Sequence, residues 1–110
     1  MSATAAFLQM QALVTAQNQG RLLKARLAPL WSELTDYLTL EGERFRRFSE
    51  VFEDSETCRE FTKLSGLFLD LRTIALELAS VQDGDHSLSL LQQALDLDDE
   101  IREACDFLMN

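Results

Sequence analysis

Residues 1–20 carry no charged side chain, and the whole chain holds one histidine, one proline, two cysteines and four glycines. Each shortage excludes something. With only Pro29, Gly20, Gly42, Gly66 and Gly84 as backbone breakers, the chain lacks the frequent turns that many short strands need, so a few long helices are expected. Cys58 and Cys105 have no second cysteine or histidine close by, so neither a disulfide framework nor a zinc site has sequence support. The two thiols read as reduced and partly buried in a cytoplasmic protein. No run approaches the roughly 18 apolar residues of a membrane span. A secretory signal is disfavoured as well, because the N-terminus lacks basic residues and Gln9, Gln11, Gln17, Asn18 and Gln19 break its apolar run.

Catalytic signatures are missing in the same way. His86 is the one histidine and sits beside Asp83, Gly84 and Asp85, with no Ser or Cys at a recognisable motif spacing, so it reads as a solvated loop residue. Cys105 lies between Glu103 and Asp106, whose charges oppose a thiolate, and Cys58 has only Arg59 as a neighbouring cation. A calcium loop needs glycine at position 6 and glutamate at position 12. Counting from Asp96 these are Ile101 and Phe107, and counting from Asp83 position 6 is Leu88, so both acidic segments fail. Asp96-Leu97-Asp98-Asp99-Glu100 therefore reads as a solvated helix face. No glycine-rich phosphate loop is present. The expectation is a protein that is not an enzyme and that has no catalytic residues, cofactor or metal.

What the chain does have is apolar residues at helical spacing and an uneven charge. Of its 110 residues, 46% are hydrophobic, enough for one domain with one core. The net charge of −9 lies almost wholly in residues 74–110, where nine acidic groups face the single basic Arg102; residues 21–73 nearly cancel. The spacing predicts a small all-α bundle of four to five helices with no sheet. A first segment runs from Ser2 to Ala28 with Ala6, Met10, Leu13, Leu23 and Leu27 on a stripe; Gly20 marks either its end or a weak point. Pro29 then opens a second helix, as proline suits a first turn, with Trp31, Leu34 and Leu38 on one face. Gly42 ends or bends it, or it continues through Phe45, Phe48, Val51 and Phe52. Asp54 and Ser55 are good caps for a third helix to about Val81, apolar at Phe61, Leu64, Phe68, Leu71, Ala75 and Leu78. After the loop Asp83-Gly84-Asp85, Ser87 caps a fourth segment with Leu88, Leu91 and Leu95 on one face, continued by Ile101, Cys105 and Leu108.

Two features carry the functional expectation. Residues 1–28, uncharged through residue 20, form an amphipathic helix whose neutral polar groups are cheap to desolvate, so it is expected to serve as an interface for a second copy or a partner. Arg44-Phe45-Arg46-Arg47-Phe48 interleaves arginines with aromatics, types enriched at protein-binding hot spots, while Glu41, Glu43, Glu50 and Glu53 neutralise it. The expected partner-binding residues are Phe7, Met10, Val14, Trp31, Phe45 and Phe48. The expected function is a regulatory binding module, homodimeric, that sequesters or inhibits another protein through an apolar helical surface. An anti-activator of a transcription factor is the preferred example; a secretion chaperone, a structural subunit of a helical assembly and a small helical enzyme with a borrowed active site are the alternatives. Nucleic acid and anionic membrane surfaces are disfavoured partners, since both need a basic face. The free protein is accordingly expected not to bind duplex DNA at physiological salt; tight, salt-sensitive mobility shifts would contradict that expectation.

Overall fold

The computed structural model describes residues 3–19, 24–52, 55–81 and 84–109. They form four α-helices: α1 Ala3–Gln19, α2 Lys24–Val51, α3 Ser55–Ser80 and α4 Gly84–Met109. No strand occurs among the described residues. Short connections make neighbours in sequence antiparallel. α2 and α3 share the broadest contact, α3 packs on α4, and α1 closes the bundle against α4 and α2. The result is a slender rod, 51 × 22 × 18 Å.

The apolar stripes meet along the axis of this rod. Ala6, Met10 and Leu13 of α1 meet Leu27, Trp31, Leu34 and Leu38 of α2, Leu64, Leu71 and Leu78 of α3, and Leu90, Ala94 and Ile101 of α4. All of them are buried. Threonines, poor helix formers because of their branched Cβ, satisfy their hydroxyls one turn back along their own helix. Thr35 donates to the Trp31 carbonyl, Thr39 to that of Thr35 and Thr73 to that of Leu69.

Two boundaries differ from those expected. The break between the first two helices falls between Gln19 and Lys24, so Pro29 lies inside α2, in its second turn. Its ring removes only the bond to the Ala25 carbonyl, and the helix continues. Gly20, the sequence's other candidate for this break, and the capping Asp54 lie outside the described residues. α4 begins at Gly84, before Ser87, which is buried in its first turn. Starting there, one unbroken helix cannot place Leu88 and Leu95 on the same side as Ile101. The buried line runs through Leu90, Ala94 and Ile101 instead, and Leu88 and Leu95 are exposed.

Gly42 does not end α2, which runs on to Val51. It is buried against α3, where the Ser65 hydroxyl donates a 2.7 Å hydrogen bond to its carbonyl. A Cβ at this position would lie 3.0 Å from two carbons of Leu69. Gly66, one residue past Ser65, has nothing within 4 Å of where its Cβ would be. The two glycines therefore respond oppositely to substitution. Gly66→Ala is expected to stabilise by about 0.5–1 kcal/mol through helix propensity alone. Gly42→Val is expected to cost about 1–3 kcal/mol by overpacking the contact. Urea midpoints of the two variants against the parent check both signs.

Candidate functional site

α1 has 17 residues and α2 has 28, about 25 Å against 42 Å at 1.5 Å per residue. Packed antiparallel to α2, α1 reaches with its first residue, Ala3, only about as far as residue 40 of α2. Beyond that level the α2–α3 hairpin carries five of the seven phenylalanines. Phe45 and Phe48 of α2, with Phe52 one residue past its end, interleave with Phe61 and Phe68 of α3. Phe45 stacks between Phe68, centroid distance 5.5 Å, and Phe61, 6.0 Å. Phe52 stacks on Phe61 at 5.1 Å. Phe48 tilts onto Phe61 at 5.6 Å and meets the edge of Phe45 at 6.1 Å. The Arg44 guanidinium stands 5.6 Å from the Phe45 centroid and 5.4 Å from that of Phe48, within cation–π range. It also reaches Glu41 at 3.3 Å, and Arg46 pairs with Glu50 at 3.2 Å.

Only one side of this stack is covered. Phe68 is buried and Phe45 and Phe61 are half-buried. Phe48 and Phe52 remain 37% and 44% exposed, and Val51 beside them is 73% exposed. A ladder of rings held rigid by its own contacts, with apolar edges left in water, is suited to receive an apolar surface of another molecule.

The six residues expected to bind a partner thus fall into two groups. Phe45 and Phe48 belong to this aromatic end. Phe7, Met10, Val14 and Trp31 are buried in the bundle core, Met10 completely. The uncharged stripe of α1 covers the core of its own chain. Phe52, Phe61 and Phe68 join the site without having been expected to bind a partner; five of the seven phenylalanines falling within residues 45–68 is the signal that points to them.

The acidic segment of α4 holds a second departure. Asp96, Asp99 and Glu100 are exposed, as a solvated face requires, but Asp98 is fully buried. It lies on the core line with Ala94 and Ile101, one turn from each. Its Oδ1 has no hydrogen-bond partner among the described residues. Arg102, itself half-exposed, brings a guanidinium nitrogen to 2.9 Å from Oδ2. Burial raises the carboxyl above its usual range; Arg102 partly offsets this and Asp99 adds to it. Burial and Asp106 likewise push the Cys105 thiol up, as its acidic neighbours predict. An open groove of about 410 Å³ between α3 and α4 is lined by Asp70, Ile74, Glu77, Asp96 and Leu97 among others. No group of three or more His, Cys, Asp or Glu among the described residues is placed to hold a metal ion. No described helix is long and apolar enough to cross a membrane.

A raised folded-state pKa means that the charged form opposes folding. The contribution of Asp98 to stability is therefore complete below its ordinary value of 3.8 and is lost as pH rises through the raised folded value. Asp98→Asn, which keeps the shape and removes the charge, is expected to be more stable than the parent at pH 7. That advantage should vanish below the ordinary carboxyl value, where Asp98 is protonated in both states. Thermal melts of the pair across pH 3–7 check the trend; an Asn variant less stable at neutral pH would mean that the Arg102 contact outweighs the burial.

Comparison with family models, with curated proteins and with solved structures returns no match for this chain, so the chemistry of its own residues is what bears on function.

Proposed function

We propose that this chain is a regulatory protein-binding module that docks on another protein through the aromatic end of the α2–α3 hairpin. The observation that carries the reading is the pair of exposed rings, Phe48 tilted onto Phe61 and Phe52 stacked on it, flanked by exposed Val51 and by Arg44. Rigid aromatics lose little conformational freedom when covered, and aromatic and arginine side chains are the types that anchor interfaces. The rest of the surface suits a different task. The carboxylates of α4 favour solubility and steer a partner's approach without adding much affinity.

The partner is a protein. Arg44 and Arg46 beside the rings are paired with Glu41 and Glu50, and the chain as a whole is at −9, a balance that repels a phosphate backbone. Occupying an apolar patch of the partner blocks whatever that patch does, whether dimerisation or contact with DNA. This is how an anti-activator holds a transcriptional regulator inactive, and it remains the preferred form of the proposal.

Burying a large apolar side chain at an interface contributes about 1.5–3 kcal/mol, so removing one ring is expected to weaken partner binding by about tenfold or more. Phe48→Ala with Phe52→Ala should lose the proteins that the parent retains from an extract of its native cell, while far-UV circular dichroism stays unchanged. An identical retained set from a folded double variant would sink the proposal, as would loss of binding on neutralising Asp96 and Asp99 alone.

A further inference from the structure

α2 has a second uncovered face, on the side away from Trp31, Leu34, Leu38 and Gly42. Glu33, Asp36, Leu40, Arg44, Arg47 and Val51 all lie on it, within about 40° of its centre at 100° per residue. All six are exposed, Leu40 to 61% and Val51 to 73%. The order of charge along this face is ordered about one residue. Leu40 stands in the middle. Four residues before it is Asp36 and four after it is Arg44; seven before is Glu33 and seven after is Arg47. The acidic half and the basic half of the face are mirror images in position and opposite in sign.

A helix with that arrangement is complementary to itself when turned end for end. In an antiparallel pair centred on Leu40, each residue meets the one equally far on the other side of the centre in its partner. Arg44 then faces Asp36 of a second copy, and Arg47 faces Glu33. The two-fold axis repeats each contact, which gives four opposite-charge pairs around a central pair of Leu40 side chains. A parallel pair would set every charge against its own like. The face therefore selects one orientation as well as one partner, as flanking charges do in paired helices. We propose that this outer face of α2 is a self-association surface on which two copies of the chain meet in an antiparallel, two-fold symmetric dimer centred on Leu40. The contact is isologous and closes at two copies.

The face shares Arg44, which also pairs with Glu41 and stands over Phe45 and Phe48, and Val51 with the flank of the aromatic end, but it differs from that end in what it needs. Its single apolar pair at the axis leaves the affinity largely to exposed ion pairs, which are individually weak and screened by salt. The dimer is thus expected at tens of micromolar protein in low salt and should weaken by about tenfold or more as ionic strength rises to about 0.5 M.

Two double variants test the pairing. Arg44→Glu with Arg47→Glu makes the face wholly acidic at these four positions, and Glu33→Arg with Asp36→Arg makes it wholly basic. Each variant alone should sediment as a monomer, with unchanged far-UV circular dichroism, and an equimolar mixture of the two should sediment as a heterodimer. A parent that stays monomeric at 100 μM in low salt would overturn the proposal. So would double variants that dimerise as the parent does, or folded monomeric variants that fail to associate on mixing. Orientation is read independently by cysteine trapping in a chain with Cys58→Ser and Cys105→Ser. Leu40→Cys should form a symmetric intermolecular disulfide, because the axis brings it against its own copy. Glu33→Cys lies about 21 Å from its copy in this arrangement and should not; trapping at residue 33 but not at 40 would refute the antiparallel register.

Discussion

The close approach of α2 and α3 at Gly42 sets the geometry that the other elements adopt. Without a side chain at that point, the Ser65 hydroxyl reaches the Gly42 carbonyl across the helix pair, and Leu69 packs 3.0 Å from where a Cβ would stand. A buried hydroxyl that found no acceptor would cost about 1–3 kcal/mol, so the bond fixes register as well as distance. Once residue 42 is level with residue 65, Phe45 lies between Phe61 and Phe68. The aromatic end is therefore a consequence of a small residue placed nine positions before the end of α2. Its rings stack because the helices beneath them are already held.

The remaining helices divide the work of covering this hairpin unequally. α4 runs its length but α1 is shorter, and α1 covers only the part of α2 that holds Leu27, Trp31, Leu34 and Leu38. An uncharged α1 suits that place. Its polar groups are amides and hydroxyls, such as that of Thr15, which donates to the Gln11 carbonyl, so laying it across the core desolvates no charge. The cost of closing the bundle falls on α4 instead. Its core line carries Asp98 between Ala94 and Ile101, a carboxyl placed where the packing calls for an apolar group. Burial displaces its ionisation, and Arg102 reaches back from the surface to compensate only in part.

Exposure follows from the same division. Where α1 ends, the rings of α2 and α3 lose their cover on one side. Among the described residues no further helix lies against the outer face of α2, which keeps Leu40 and the ordered charges about it in water. The two surfaces differ in kind. One is aromatic and rigid and is suited to a partner with an apolar patch. The other is charged and self-complementary and suits a second copy of the same chain.

Much of this was legible in the order of residues. The recurrence of Leu64, Leu71 and Leu78, and of Trp31, Leu34 and Leu38, specifies helices and their buried faces because side chains three and four apart share a side whatever the helix packs against. The charge order about Leu40 belongs to the sequence in the same sense, though only an exposed face gives it meaning. Tertiary structure alone decided what each face meets. The stripe of Phe7, Met10 and Val14 is equally apolar whether its own chain or another covers it, and only the assembled bundle spends it inside. Pro29 is compatible with a helix start or with a second turn, and the choice depended on where the preceding connection closed. Asp98 looks solvated among Asp96, Asp99 and Glu100, because composition reports a segment's average polarity. Its burial comes from the rotation of one continuous helix, set by Leu90, Ala94 and Ile101 packing against their neighbours, which turns a single carboxyl of that run inward.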